Sequence, residues 1–275
     1  MRDLFEPTRG EEVVGVGPLR ALRWTATELR APTTFLLIHG LWDGAHVWRR
    51  MGPYLARRGY TSYAVWQRHH HPGADPLQLR GLDIYAYVRD IVAAVASIGR
   101  PVLVGHSVGG LIALAVATRC RVPGVAVLSC AAPRGIPTLH RGSFNFAALP
   151  HFVPLPFRRG LFLAEFGYVR TVYYSHLADD EARRLYAGLI PEPWRVGVQA
   201  AFWPPRVRRR DIKAPILVAS GGEDCAIIPW VAHRIARRFR VVPAIYPGRG
   251  HLLPIEPGWE SVADDLLRWA DRLVE

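Results

Sequence analysis

Short runs of consecutive apolar, β-favouring residues alternate along this chain with stretches in which apolar positions recur every three to four residues. The first strong run is TTFLLIH (33–39). Four apolar residues in a row without a polar partner mark a strand covered on both faces. VWRRMGPYLARRGY (47–60) predicts a helix that stops at Gly59, and TSYAVW (61–66) a second strand, followed by a loop rich in Pro, Gly and His. In DIYAYVRDIVAAVASI (83–98) apolar residues fall at 84, 88, 91, 92 and 95, the spacing of an amphipathic helix, with Asp83 to cap it and Gly99 to end it. A strand at 101–105, a helix at 108–119 and a strand at 125–129 follow. Beyond them the pattern predicts a strand at 215–220, a helix at 230–239, a strand at 241–246 and a helix at 258–273. Pro243 places the last strand at a sheet edge or an irregularity. Residues 13–25 predict one or two antiparallel strands. Strand and helix alternating in this way indicate an α/β domain built on a mostly parallel sheet.

One stretch breaks the alternation. Residues 132–214 separate two core strands by 83 residues, far more than a crossover helix needs. They hold 13 of the 29 aromatic residues, among them Phe144, Phe152, Phe162, Tyr173, Trp194 and Trp203, and nine prolines. The reading is a cap (132–214) inserted between two parts of an α/β core, 1–131 and 215–275. Its aromatics form a small core of their own, with a few facing a cavity beneath.

Composition narrows the class. Half of the 275 residues are hydrophobic and 21% are charged, which suits a globular chain with a sizeable core. The three cysteines, at 120, 130 and 225, are far apart and lack metal-ligand spacing, so neither a disulfide framework nor a zinc site is expected. The polar first twelve residues precede no long apolar run; a cytoplasmic protein without a transmembrane segment is the expectation. The net charge of +12 raises nucleic acid as a partner, but 34 of the 35 basic residues are arginine and they are scattered, with no single stripe. No nucleic-acid partner is expected.

The chemistry begins at VLVGHSVGGLIAL (102–114), where Ser107 sits at the bend between a buried strand and a buried helix. A nucleophile presented on such a turn has strained backbone angles, and residues two before and two after it must lack bulk. Gly105 and Gly109 meet that demand. A serine hydroxyl needs a base. Of eleven histidines, His251 follows the glycine turn YPGRG beyond the last strand and reaches the same edge of the sheet as Ser107. His106 should turn away, His39 should brace the loop it begins, and the run His69, His70, His71 reads as solvated surface. Asp224, at the end of ILVASGGED, is the expected carboxylate partner of His251, with Glu223 one residue out of place. The strand ending VLSCAAP has no carboxylate at its tip. Two N–H donors must meet the developing oxyanion. Val108 N–H is one, and Leu41 N–H, on the loop HGLWDGAHVW, is the other. Trp42 either walls the substrate pocket or packs in the core.

Together, HGLWDGAHVW, GHSVGGL, DIKAPILVASGGED and GRGHLLPIEP resemble the α/β-hydrolase superfamily over nearly the whole chain from about residue 33. The first stretch is also similar to the HGxxxGAxxW loop of plant methylesterases and hydroxynitrile lyases. There the residue after His-Gly lends its N–H to the oxyanion hole, which supports Leu41 by position. The resemblance implies the α/β-hydrolase fold, an eight-stranded, mostly parallel sheet flanked by helices with a helical cap inserted after the sixth strand. With Ser107 as nucleophile and His251 as base, serine-dependent hydrolysis is expected, and the sequence gives no sign of a metal or organic cofactor. The expected substrate is a small-molecule or hydrophobic carboxylic ester; the aromatic and proline-rich cap favours apolar acyl or aryl groups, lipids and polyester-like polymers among them. Acyl transfer, lactone, amide or C–C hydrolysis, cofactor-free peroxidation, cyanohydrin cleavage and plain ligand binding use the same fold and stay open.

Overall fold

In the computed structural model the chain is described at residues 7–30, 33–137, 149–158 and 160–273. The elements are strands β1 (Glu11–Val16), β2 (Leu19–Trp24) and β3 (Phe35–Ile38), helix α1 (Met51–Arg57), strand β4 (Ser62–Trp66), helix α2 (Ile84–Ile98), strand β5 (Val102–His106), helix α3 (Val108–Ala117) and strand β6 (Val125–Leu128). Then come α4 (Leu149–Phe152), α5 (Leu155–Arg158), β7 (Leu161–Phe162), α6 (Phe166–Val172), α7 (Asp179–Ala187), β8 (Glu192–Pro193) and α8 (Trp194–Ala201). The chain closes with β9 (Ile216–Gly221), α9 (Pro229–Phe239), β10 (Ala244–Tyr246) and α10 (Trp259–Asp271).

Eight strands form one sheet in the order β1-β2-β4-β3-β5-β6-β9-β10. Only the pairings of β1 with β2 and of β2 with β4 are antiparallel. This is an α/β-hydrolase sheet. Alternate residues of the central strands face opposite layers. Leu36, Ile38, Leu103 and Val127 join a cluster with α2, α3 and α9, whereas Phe35, Leu37, Val104 and Ala126 join one with α1 and α10. Every residue of α3 is buried, which is why its sequence has no polar face.

Local chemistry sets the ends of the elements. Asp83 accepts the N–H of Ala86 at 2.9 Å to start α2, and Gly99 at φ 89° ends it. The helix predicted over 47–60 divides into a 3₁₀ turn, Ala45–Trp48, and α1. Pro53 has no N–H to donate and is tolerated only in a first turn, so α1 begins just before it. The last strand shrinks to three residues that start after Pro243, and it does lie at the sheet edge.

Topology locates the crevice. From β3 the chain crosses to β4 on one side and later places β5 on the other, so the carboxyl ends of β3 and β5 flank a switch point. Elements α4 to α8 supply an apolar cluster shared with loops that leave that edge. It includes Phe152, Leu155, Val169, Tyr174, Leu185 and Val198, joined by Trp42 from the loop after β3 and by Leu252 and Ile255 from the loop after β10. Trp203 is 61% exposed and takes no part in it. Phe144 and His140 lie outside the described residues. Among the described residues no helix is long and apolar enough to cross a membrane.

Candidate active site

Ser107 joins β5 to α3 at φ 55° and ψ −123°, a left-handed conformation that costs a non-glycine residue energy. The neighbouring strand pays that cost by pinning the turn on both sides. Ser107 N–H donates to Leu128 O at 2.9 Å, and Ser107 O accepts from Gly110 N at 3.0 Å and Ala131 N at 3.1 Å. A Cβ on Gly105 would strike the Gly109 carbonyl, and one on Gly109 would strike the carbonyls of Ile38 and His39. Gly40 has the same constraint from the other side, since a Cβ there would lie 2.9 Å from Ser107 Cβ. Three glycines therefore let β3, β5 and α3 converge on one hydroxyl.

His251 arrives from the loop between β10 and α10. Glu256, wholly buried, holds that loop by accepting the N–H of Gly250 at 2.6 Å and of Leu252 at 2.8 Å, one on each side of the histidine. The Nδ1 of His251 lies 2.9 and 3.0 Å from the two carboxylate oxygens of Asp224. A carboxylate only accepts, so the proton sits on Nδ1 and neutral His251 carries its lone pair on Nε2. That Nε2 is buried and has no hydrogen-bond partner among the described residues. Asp224 is itself fixed by the N–H groups of Ala226 at 2.9 Å and Ile227 at 2.8 Å. Glu223 turns away to His176, 3.0 Å off.

Ser107, His251, Leu41 and Trp42 line one pocket together with Tyr173 and Leu252. The unfilled centre of the pocket is about the size of one water molecule. Val108 follows Ser107 as the first residue of α3, so its N–H has no carbonyl one turn back within the helix. Trp42 lines this pocket, and its ring packs edge-on against Phe162 and Tyr173 at 5.5 Å. His106 lies under His251, with ring centroids 4.8 Å apart and its Nε2 2.9 Å from the His251 carbonyl. Burial and the neighbouring His251 hold His106 down to about 3, so it stays neutral over the working pH range. His39 braces the loop after β3, accepting Gln67 N–H at 3.0 Å while its Nδ1 lies 2.8 Å from Gly40 O.

Residues 35–265 match the alpha/beta hydrolase family in sequence. The chain belongs to that family. Its fold is similar to a thermophilic esterase from Thermogutta terrifontis (19% identity, 96% of this chain and 100% of that one, TM-score 0.68). It is also similar to an esterase from a Rhodococcus species (18%, 96% and 99%, 0.69) and to a methylesterase from Arabidopsis (18%, 87% and 99%, 0.66). No curated protein matches the chain.

This alpha/beta hydrolase departs from the sequence reading at His70, which is not solvated surface. The ring is buried 3.1 Å from Glu192, which is equally buried, and Tyr87 O–H donates to the same carboxylate at 2.7 Å. Burial pulls His70 down, but the charge and hydrogen bond of Glu192, joined by the Arg68 carbonyl and the charge of Asp43, together outweigh it and the imidazole is raised overall. His69 and His71 stay partly accessible, because the turn at His69 (φ 59°) sends the middle ring inward. Asp43 is a further residue that the sequence reading missed. It lines the pocket, and burial, reinforced by Glu192 and opposed by His251 and His70, pushes its carboxyl up to about 7. No periodicity marks these residues, since their partners lie in other elements.

Proposed function

We propose that this hydrolase is a serine esterase in which Ser107 is the nucleophile, His251 the general base and acid, and Asp224 its orienting carboxylate. The observation that carries this reading is the buried Nε2 of His251, left without a partner on the pocket that also holds Ser107, while Nδ1 is held by Asp224. Ser107 Oγ attacks the ester carbonyl as its proton passes to Nε2. The tetrahedral oxyanion is received by Leu41 and Val108 N–H. Collapse expels the alcohol, which takes the proton from His251, and leaves an acyl group on Ser107. Water then attacks the acyl carbon, giving its proton to His251, and release of the carboxylic acid returns that proton to Ser107.

Residues 132–214 act in this reading as a cap on a core formed by 1–131 and 215–275. Tyr173, Tyr174, Val169 and Leu189 bring apolar surface to the pocket, which favours hydrophobic acyl or aryl groups. The test is a series of p-nitrophenyl esters of rising acyl length with wild type and Ser107→Ala. Wild type should turn over the short esters, and the variant should lose on the order of 10⁴-fold or more in kcat. Equal rates for both proteins on every ester would dismiss hydrolysis at Ser107, and a fluorophosphonate that labels wild type but not Ser107→Ala would support it.

A further inference from the structure

Trp42 is held in a way its neighbours are not. It is a non-glycine residue at φ 66°, and each of its polar groups is taken by the stretch around the β7–β8 ribbon. Its N–H donates to Glu192 Oε1 at 3.2 Å, its carbonyl accepts Ile190 N–H at 2.8 Å, and its indole N–H donates to Phe162 O at 3.1 Å. Phe162 and Glu192 are directly paired across the ribbon, so one small unit of β structure grips the tryptophan at both ends.

Glu192 is the unusual member. Besides Trp42 N–H it accepts Tyr87 O–H at 2.7 Å and stands 3.1 Å from His70 Nε2. The other ring nitrogen of His70 lies 2.9 Å from the Arg68 carbonyl. Carboxylate and carbonyl oxygens both accept, so an imidazole between them needs a proton on each nitrogen. The fold thus buries an acid, an imidazolium and a phenol, all at 1% exposure. A buried ion pair seldom adds net stability over apolar residues of the same shape. What this one does hold is a single peptide N–H, the one following Leu41.

We propose that Glu192, held by His70 and Tyr87, is a positioning residue that fixes the loop after β3 so that Leu41 N–H meets the substrate oxyanion. This rests on the esterase reading of the same site. The Gly40 carbonyl, in the same peptide as the Leu41 N–H, accepts from His39 Nδ1 at 2.8 Å, so that peptide is held from its near end and the one after it from its far end. That end is Trp42, and its anchor is Glu192. The carboxylate touches no reacting atom and acts only through the backbone.

The experiment compares wild type, Glu192→Gln, Glu192→Leu and Tyr87→Phe on p-nitrophenyl acetate. It also measures inhibition by an alkyl trifluoromethyl ketone, whose Ser107 adduct carries an oxyanion, and by the matched methyl ketone. Outright loss of one oxyanion donor costs about 10²- to 10³-fold, and a misplaced donor should cost less. Glu192→Leu should therefore lower kcat on the order of ten- to a hundredfold with KM changed less than about threefold. Its affinity for the trifluoromethyl ketone should fall by the same factor, and its affinity for the methyl ketone should hold. Glu192→Gln keeps an oxygen for Trp42 N–H and should retain kcat within about fivefold of wild type. Tyr87→Phe, which removes one bond from a core that stays filled, should lose about two- to fivefold in kcat in a fully folded protein. Glu192→Leu with wild-type kcat, equal losses on the two ketones, or Glu192→Gln as impaired as Glu192→Leu would each overturn the positioning role while leaving the esterase intact. A wild type that neither turns over the ester nor binds the trifluoromethyl ketone would overturn both.

Discussion

A carboxyl group buried beside imidazoles is pulled two ways, toward neutrality by lost hydration and toward charge by any nearby cation. At Asp43 lost hydration wins, and its carboxyl rises to about 7 from 3.8. Because the folded chain holds this proton more tightly than the unfolded chain does, the contribution to stability is full below about pH 4 and is lost as pH rises to about 7. Asp43→Asn removes that dependence. Its Tm relative to wild type should therefore climb between pH 4 and pH 8, and a constant difference across that window would refute the assignment. Asp224 has a different setting, since its carboxylate accepts from His251 Nδ1 and from two backbone N–H groups. Asp224→Ala should depress kcat on p-nitrophenyl esters by about a thousandfold or more and leave KM within a few fold. Normal turnover would mean that another group orients His251. Ser107, Asp224 and His251 were legible in the sequence because each stands at a strand exit punctuated by glycine. Glu192 and His70 were not. Their meaning lies in a contact spanning 122 positions, and neither sits in a periodic stretch.

At the level of elements, the turn between β5 and α3 shows how close packing replaces side chains. Gly109 presses against the carbonyls of Ile38 and His39, backbone atoms that cannot rotate aside. Gly109→Ala should destabilise the fold by about 1–3 kcal/mol in urea denaturation and abolish ester turnover, because β3 and α3 must separate. Gly15 in β1 is the control, since a Cβ there meets nothing within 4 Å, and Gly15→Ala should stay within about 0.5 kcal/mol of wild type. Equal stability losses at the two glycines would mean that backbone freedom, not approach distance, is what the elbow needs. The same physics explains which elements the pattern revealed. The central strands are covered on both faces and so read as unbroken apolar runs. Residues 149–212 resist such reading because their short helices owe their stability to one another and to Trp42, Leu252 and Ile255 from distant loops.

For the molecule as a whole, 35 basic residues against 23 acidic ones leave a net charge of +12. Several acids are already committed to arginines, as in the pairs Glu11–Arg49, Glu181–Arg50 and Asp90–Arg68, so the excess belongs to arginines spread over the surface. Scattered like charge gives no specific patch, but it sums to a field that draws anions in from a distance. The reach of that field is set by salt, about 30 Å at 0.01 M and about 8 Å at 0.15 M. An ester carrying a carboxylate away from its scissile bond should therefore be used faster at low ionic strength than a neutral ester of the same size. Its kcat/KM should fall steadily as sodium chloride rises from 10 to 500 mM, and that of the neutral ester should stay level. The effect belongs in KM, because the field acts on encounter and not on the bond broken. If both esters respond alike, salt is acting on the protein itself and the arginine excess has no part in substrate capture.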